Sequence, residues 1–321
     1  MSLTLAQGDV PVPVGLRLFL PEDWTGDAER CSKAGVPDAA ISPRSKGEIA
    51  LAGLDRVRAA GVRFGCVLAD AGYGTSAEFR HGLDTRGLRW AVGIARNQKV
   101  YDRDVQLVPP VGRARKPAPD KEPQAAEDVL AALPWRRVTW RGGTKGRLAA
   151  QFAAIRIRVA AKPEVCAEDG AVWGNNRHLP GNEVWLVGEW RSSGERKYYL
   201  ANLPLRTSMR ALAAAIKACW VCEQAHQQLK GELGLGHFEG RSWTGLHRHA
   251  LMTCIAYAYL QHLRLAGQIR TGPGKNAPPH PGAATIAQPA RSASCHHRQA
   301  VCPNRLTRPV SLLQTPIPIT P

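Results

Sequence analysis

Long apolar runs are missing from this sequence. Crossing a bilayer takes roughly 20 apolar residues, and the longest run, Ala250–Leu260, is about half that, so a buried helix is expected there and no membrane partner. No basic segment precedes an apolar stretch in the opening MSLTLAQGD, which argues against a secretory signal. Cysteine is sparse, with 8 in 321 residues, which excludes a disulfide scaffold and fits a reducing, cytoplasmic setting. Acid is absent from one whole region: no Asp or Glu follows Glu239, while nine Lys or Arg remain.

What is there is basic. Forty-three Lys and Arg against 26 Asp and Glu leave +17, and from Arg113 to Arg158 there are eleven basic residues and four acidic ones. A surplus concentrated in particular stretches is the footprint of a polyanion-binding protein. A GC-rich coding sequence that favours Arg would raise the charge as well. At 44% hydrophobic the chain can bury a core, and its length suits about two domains or one with a large insertion.

Alternation predicts strands over Ser2–Ala6 and Val14–Leu20 around a Gln7-Gly8-Asp9 turn. Lys46–Ala60 has a helical period stopped by Gly61, and Phe64–Ala69 reads as a buried strand ending at Asp70 and the turn Ala71-Gly72-Tyr73-Gly74. A helix over Ser76–Arg86 and a strand over Arg89–Ala95 follow. A hairpin followed by alternating helix and strand implies an α/β sheet with an antiparallel edge. From Asn97 to Pro134 the chain is polar and Pro-rich and reads as linker. Val138–Leu203 reads as strands, with a hairpin at Ser192-Ser193-Gly194, and holds four of the five tryptophans found between Trp135 and Trp190. One long helix is expected from Thr207 or Ser208 to Leu233 and another over Gly245–Leu265. The last 54 residues carry ten prolines and no acid, a composition that reads as disordered.

Asp70 stands at the carboxyl end of a strand, where α/β sheets present function. Gly72 and Gly74 would let the backbone turn sharply beside it. The same position also suits an ordinary Asp in a strand-to-helix loop. Glu223 lies two turns before Lys230, so both project from one helix face about 10 Å apart. A carboxylate there can hold a divalent cation while the lysine holds a phosphate, yet spacing alone favours a solvated, salt-bridged face. Cys219-x-x-Cys222 has half of a zinc spacing, and Cys295, His296, His297 and Cys302 could supply four zinc ligands but have no recognisable spacing. His247 and His249 would face different ways on a helix, so a shared metal is not expected.

Taken together, VLADAGYGTSAEFRHGLDTRGLRWAVGI, ACWVCEQAHQQLKGELGLGHFEGRSWTGLHRHALM, WRRVTWRGGTKGRLAAQFAAIRIRV and GERKYYLANLP resemble bacterial DDE transposases, nearest to the insertion-sequence-four-type group. The resemblance runs from about Leu3 to Leu265. It implies an RNase H-like α/β core interrupted by a β-rich insertion, and DNA strand cleavage and transfer at two Mg²⁺ ions, for which Mn²⁺ can substitute. It assigns Asp70 as the second catalytic Asp, Glu223 as the catalytic Glu and both as metal ligands, with Lys230 contacting DNA near the cleaved end. It also suggests that an aromatic side chain of the insertion stacks on a base.

No residue matches the family's first Asp or its opening strand, and Cys219 stands where the family carries Arg. The expected divisions are 1–96 for the first part of the core, 97–205 for linker and insertion, 206–267 for the helical completion and 268–321 for the tail. The chain therefore reads as a 5′-truncated copy whose activity is doubtful, with DNA and either a second copy or a full-length transposase as partners. The alternatives are a catalytically dead DNA-binding remnant and a non-functional translation product. Loss of the opening strand should leave Leu3–Ala6 as a bare sheet edge.

Overall fold

The computed structural model describes residues 1–109, 117–143, 146–161, 179–271 and 311–315. The hairpin pairs β1 (Ser2–Gln7) with β2 (Val10–Leu16) across a tight turn at Gly8, whose φ of +61° suits glycine. Three short helices, α1 (Glu22–Thr25), α2 (Ala28–Ala34) and α3 (Asp38–Ile41), gather around Leu20, Cys31 and Val36. Helix α4 (Lys46–Ala59) begins with a reciprocal cap. The Ser45 hydroxyl accepts from the Glu48 amide at 3.2 Å, and the Glu48 carboxylate accepts from the Ser45 amide at 2.7 Å.

Strand β3 (Cys66–Ala69) leads through α5 (Ala71–Gly74) and α6 (Ala77–Asp84) to β4 (Trp90–Ile94), which lies parallel to β3. The stretch read as linker contains short elements: β5 (Lys99–Asp102), β6 (Leu107–Val108), β7 (Ala118–Pro119), β8 (Gln124–Ala125) and α7 (Ala126–Ala131). Too few apolar residues mark them for a periodicity to show. Val100, Tyr101 and Val105 are nevertheless buried, because β5 pairs with the far end of a long strand from the following block.

That block comprises β9 (Arg136–Gly143), β10 (Gly146–Ala161), β11 (Leu179–Trp190) and β12 (Arg196–Ala201), with Gly194 at φ +86° in the β11–β12 turn. Helices α8 (Met209–Lys217), α9 (Trp220–Gly231) and α10 (Trp243–Thr271) follow. The single helix expected to Leu233 is in fact two. Around Ala218 and Cys219 the hydrogen bonds tighten to three-residue steps, from Val221 N to Ala218 O and from Cys222 N to Cys219 O, so the axis breaks without Gly or Pro.

Among the described residues eleven strands, a last one β13 (Ser311–Thr315) included, form a mixed sheet ordered β2-β1-β13-β3-β4-β12-β11-β10-β5-β8, with β9 also paired to β10, while β6 and β7 pair separately. Strand β13 comes from the Pro-rich tail and lies antiparallel to β1 and parallel to β3. Two expectations are corrected here. The tail contains an ordered strand, and β1 is not a bare edge, because β13 covers it. The five residues SLLQT carry two leucines between Pro309 and Pro316, enough for a short strand and bounded on both sides by breakers. Residues 268–271 belong to helix α10, and the rest of the tail, including Cys295, His296, His297 and Cys302, lies outside the described residues.

Both sheet faces are covered. Val67 and Ala69 point toward Ile49, Leu54, Phe79 and Leu83, while Cys66 and Leu68 point toward Leu212, Ala213, Ile216 and Cys222. No helix among the described residues is long and apolar enough to cross a membrane.

Candidate active site

Asp70 follows the last residue of β3 and caps α5, its Oδ1 accepting the Gly72 amide at 2.9 Å. The short helix is pinned against β4 by glycine on both sides. A Cβ on Gly74 would lie 2.1 Å from the Gly93 carbonyl oxygen and 2.7 Å from the Val92 side chain, and one on Gly93 would lie 2.8 Å from the Ala71 nitrogen. The glycine at 74 therefore serves close approach; neither Gly72 nor Gly74 has the positive φ that a sharp turn would demand. Tyr73 is buried against Phe79, and its hydroxyl has no hydrogen-bond partner among the described residues.

Glu223 sits in the first turn of α9, where the helix dipole favours a carboxylate. The inner face of α9 is clamped to the hairpin. His226 Nδ1 lies 2.9 Å from the Cys222 carbonyl, which can only accept, so the neutral ring carries its proton there and Nε2 accepts from the Ser2 hydroxyl at 2.8 Å. Cys222 Sγ lies 3.4 Å from the Thr4 hydroxyl. Val221, Cys222, Ala225 and Leu229 are buried, while Glu223 is exposed and Lys230 half-buried near the end of the helix.

Asp70 and Glu223, 153 positions apart in sequence, are close enough in the fold for their charges to interact. Partial removal from water raises the Asp70 pKa most, and the charge of Glu223 raises it further, against the Gly72 amide and the Lys46 ammonium. Cys219 shares this neighbourhood. Burial and the nearby acidic groups, Glu223 and Asp70 among them, hold its thiol neutral. Lys230, near the end of α9, acts by its charge on His226.

Sequence reasoning missed Lys46, the first residue of α4, whose charge reaches Asp70 from an element with no motif. His247 and His249 of helix α10 serve separate local contacts: His247 Nδ1 lies 2.8 Å from the Trp243 carbonyl, and His249 Nε2 lies 2.9 Å from the Gly234 carbonyl. No cluster of three or more His, Cys, Asp or Glu suited to a metal occurs among the described residues.

The family model of the DDE superfamily endonucleases matches residues 1–147. That part of the chain is similar to a DDE transposase-like domain. The match takes in Asp70, its pinned helix and the hairpin, and ends before Glu223 and Lys230. A search of curated proteins finds no match to the chain. DDE superfamily endonucleases act on DNA and generally use divalent metal ions.

Proposed function

We propose that this protein is a DDE-type DNA-binding protein, of the insertion-sequence-four type with an RNase H-like core, that holds DNA but does not cleave or transpose it by itself. The observation that carries this reading is the two-carboxylate site. Asp70 and Glu223 share one electrostatic neighbourhood, and no third His, Cys, Asp or Glu completes a metal-binding cluster among the described residues.

The residues fit one Mg²⁺ or Mn²⁺ ion better than two. Mg²⁺ is commonly held by one or two carboxylates with several waters retained, and a cation would relieve the repulsion that raises Asp70. When bound, such an ion supplies charge neutralisation beside a phosphate. Two ions sharing carboxylates need more anionic ligands than this pair offers. Lys230, at the end of the same helix, would contact a DNA phosphate. Cys219 adds no charge there, having neither the cation of an Arg nor a ready thiolate.

The strand block supplies a second contact. A cleft of about 210 Å³ is lined by Arg137, Gln151, Trp190, Arg191 and Ser192. The Arg196 guanidinium lies 4.5 Å from the Trp190 ring centre, and Trp135 meets Trp190 edge-on at 5.9 Å. Trp190 is the aromatic we assign to base stacking, with Arg137 and Arg191 on the flanking phosphates.

The test has two arms. Random duplex binding at 50 and 200 mM salt should weaken about 10³-fold or more if six or more phosphates are neutralised. Salt-insensitive affinity would remove DNA from the reading. Supercoiled plasmid with Mg²⁺ or Mn²⁺ should be nicked no faster by the protein than by Asp70→Asn, which keeps the cap and drops the charge. Nicking that the substitution abolishes would show an active enzyme.

A further inference from the structure

Helix α10 presents two opposite faces, and among the described residues only one is covered. Its inner stripe of Ala250, Thr253, Tyr257 and Gln261 is buried. Tyr257 packs with Ala225 and Leu229 of α9, and its hydroxyl donates to Gln228 Oε1 at 2.9 Å. Across the helix, Met252, Ile255, Tyr259 and Leu263 repeat at steps of three and four residues and are 65, 52, 60 and 46% exposed. Leu251 at 59% and Leu260 at 48% flank them. At 100° per residue Ile255 and Tyr259 each stand about 200° from Tyr257, so the two stripes face opposite ways.

Scattered surface leucines need no explanation, but a contiguous patch does. Six half-exposed side chains at on the order of 100 Å² each give about 600 Å² per copy, so a self-pairing buries roughly 1,200 Å², where stable interfaces begin. Charge selects the geometry. The helix has no acid, and Arg248 lies on the exposed stripe one turn before Met252. Parallel pairing would set Arg248 against Arg248. An antiparallel two-fold pair centred between Ile255 and Tyr259 sets Arg248 against Ala266 and holds the two Arg248 side chains about 27 Å apart, several Debye lengths at physiological salt. Arg264 sits off the stripe, close enough to Tyr257 for its charge to act there.

We propose that this face is a homodimer interface, an antiparallel helix pair in which Ile255 of each copy meets Tyr259 of the other. It stands independently of the DNA reading.

Sedimentation of the full-length chain from 0.5 to 50 µM tests it. The wild type should be dimeric. Ile255→Glu and Tyr259→Lys should each weaken association at least 100-fold while leaving the melt of the dissociated chain unchanged, since both side chains are exposed; at higher concentration the wild type melts later because association stabilises it. Mixing the two variants should restore a heterodimer, because only antiparallel pairing brings the new charges together. A monomeric wild type at 50 µM overturns the proposal. So does an undiminished Ile255→Glu dimer, failure of the mixture to recover, or a melt of the single variants below that of the dissociated wild type, which would mean that the chain itself covers the stripe.

Discussion

Replacing Gly74 by Ala places one methyl group into the contact that holds the Asp70 loop on the sheet. The added Cβ would meet the Gly93 carbonyl oxygen at 2.1 Å and the Val92 side chain at 2.7 Å, where backbone cannot retreat as a flexible side chain does. Overpacking of this kind costs about 1–3 kcal/mol or more. Helix propensity opposes it, since Ala is favoured over Gly by roughly 1 kcal/mol within a helix. The net expectation is a loss near 2 kcal/mol, read as a lowered urea midpoint at constant slope. Gly93→Ala should act in the same direction, because its Cβ would press on the Ala71 nitrogen at 2.8 Å. Gly231→Ala is the control: it ends α9 in open space and should be neutral or stabilising by less than about 1 kcal/mol. If Gly74→Ala is as stable as the wild type, the loop is not pinned by close approach, and the account of how Asp70 is positioned fails.

Two further predictions concern the supports of the site. Glu189 is 1% exposed and accepts from Lys217 at 2.6 Å, Arg191 at 3.2 Å and the Tyr199 hydroxyl at 3.0 Å. Burial pushes its pKa up, but Lys217 and Arg191 more than reverse this, so the carboxylate stays ionised and Lys217→Met should cost about 3 kcal/mol in urea unfolding. A loss below about 1 kcal/mol would show that Arg191 and Tyr199 suffice alone. Burial first, then the Lys230 charge, lowers the His226 pKa below its ordinary value of 6.5. The folded state thus favours the neutral ring: its contribution is complete above pH 6.5 and is lost as pH falls through that value toward the folded pKa. His226→Gln should flatten the decline in stability between pH 7 and 5, and parallel curves for the two proteins would exclude His226 as its source.

How far the sequence could carry these arguments depended on where the forces were local. The α4 start is written in Ser45 and Glu48, and the β1–β2 turn in Gly8, because caps and tight turns are decided within four residues. The Asp70 position was legible from an apolar run ending in a small-residue turn. Its pinning was not, since Gly74 matters through Gly93, a residue on another strand. Strands β5–β8 stayed hidden for the same reason: two to four residues with one or two apolar side chains become strands only when a partner is present. The α8–α9 break carries no Gly or Pro signal. It depends on packing at Ala218 and Cys219, and Ala214, which a continuous helix would put on the same face as Ala218, is exposed.

The relation between Asp70 and Glu223 runs through the tail strand. Asp70 is carried by β3, whereas Glu223 is carried by α9, which is fastened to β1 through Ser2, Thr4, Cys222 and His226. Strands β1 and β3 do not pair; β13 stands between them, with Leu312 opposite Leu5 and Val67, and Leu313 opposite Thr4 and Leu68. Two interstrand steps, about 10 Å, therefore set the offset between the two carboxylate-bearing elements. Successive amides of a strand point to opposite neighbours, so Leu312→Pro and Leu313→Pro should each break one of the two ladders. Losing a ladder bond and stranding its buried carbonyl costs about 2–4 kcal/mol. Hydrogen exchange should then show lost protection at Leu3–Ala6 in one variant and at Val67–Ala69 in the other, while amides shared by β10 and β11 keep theirs. Unchanged protection in both variants would mean that the hairpin reaches β3 without the tail, and that Asp70 and Glu223 are held together by α9 packing alone.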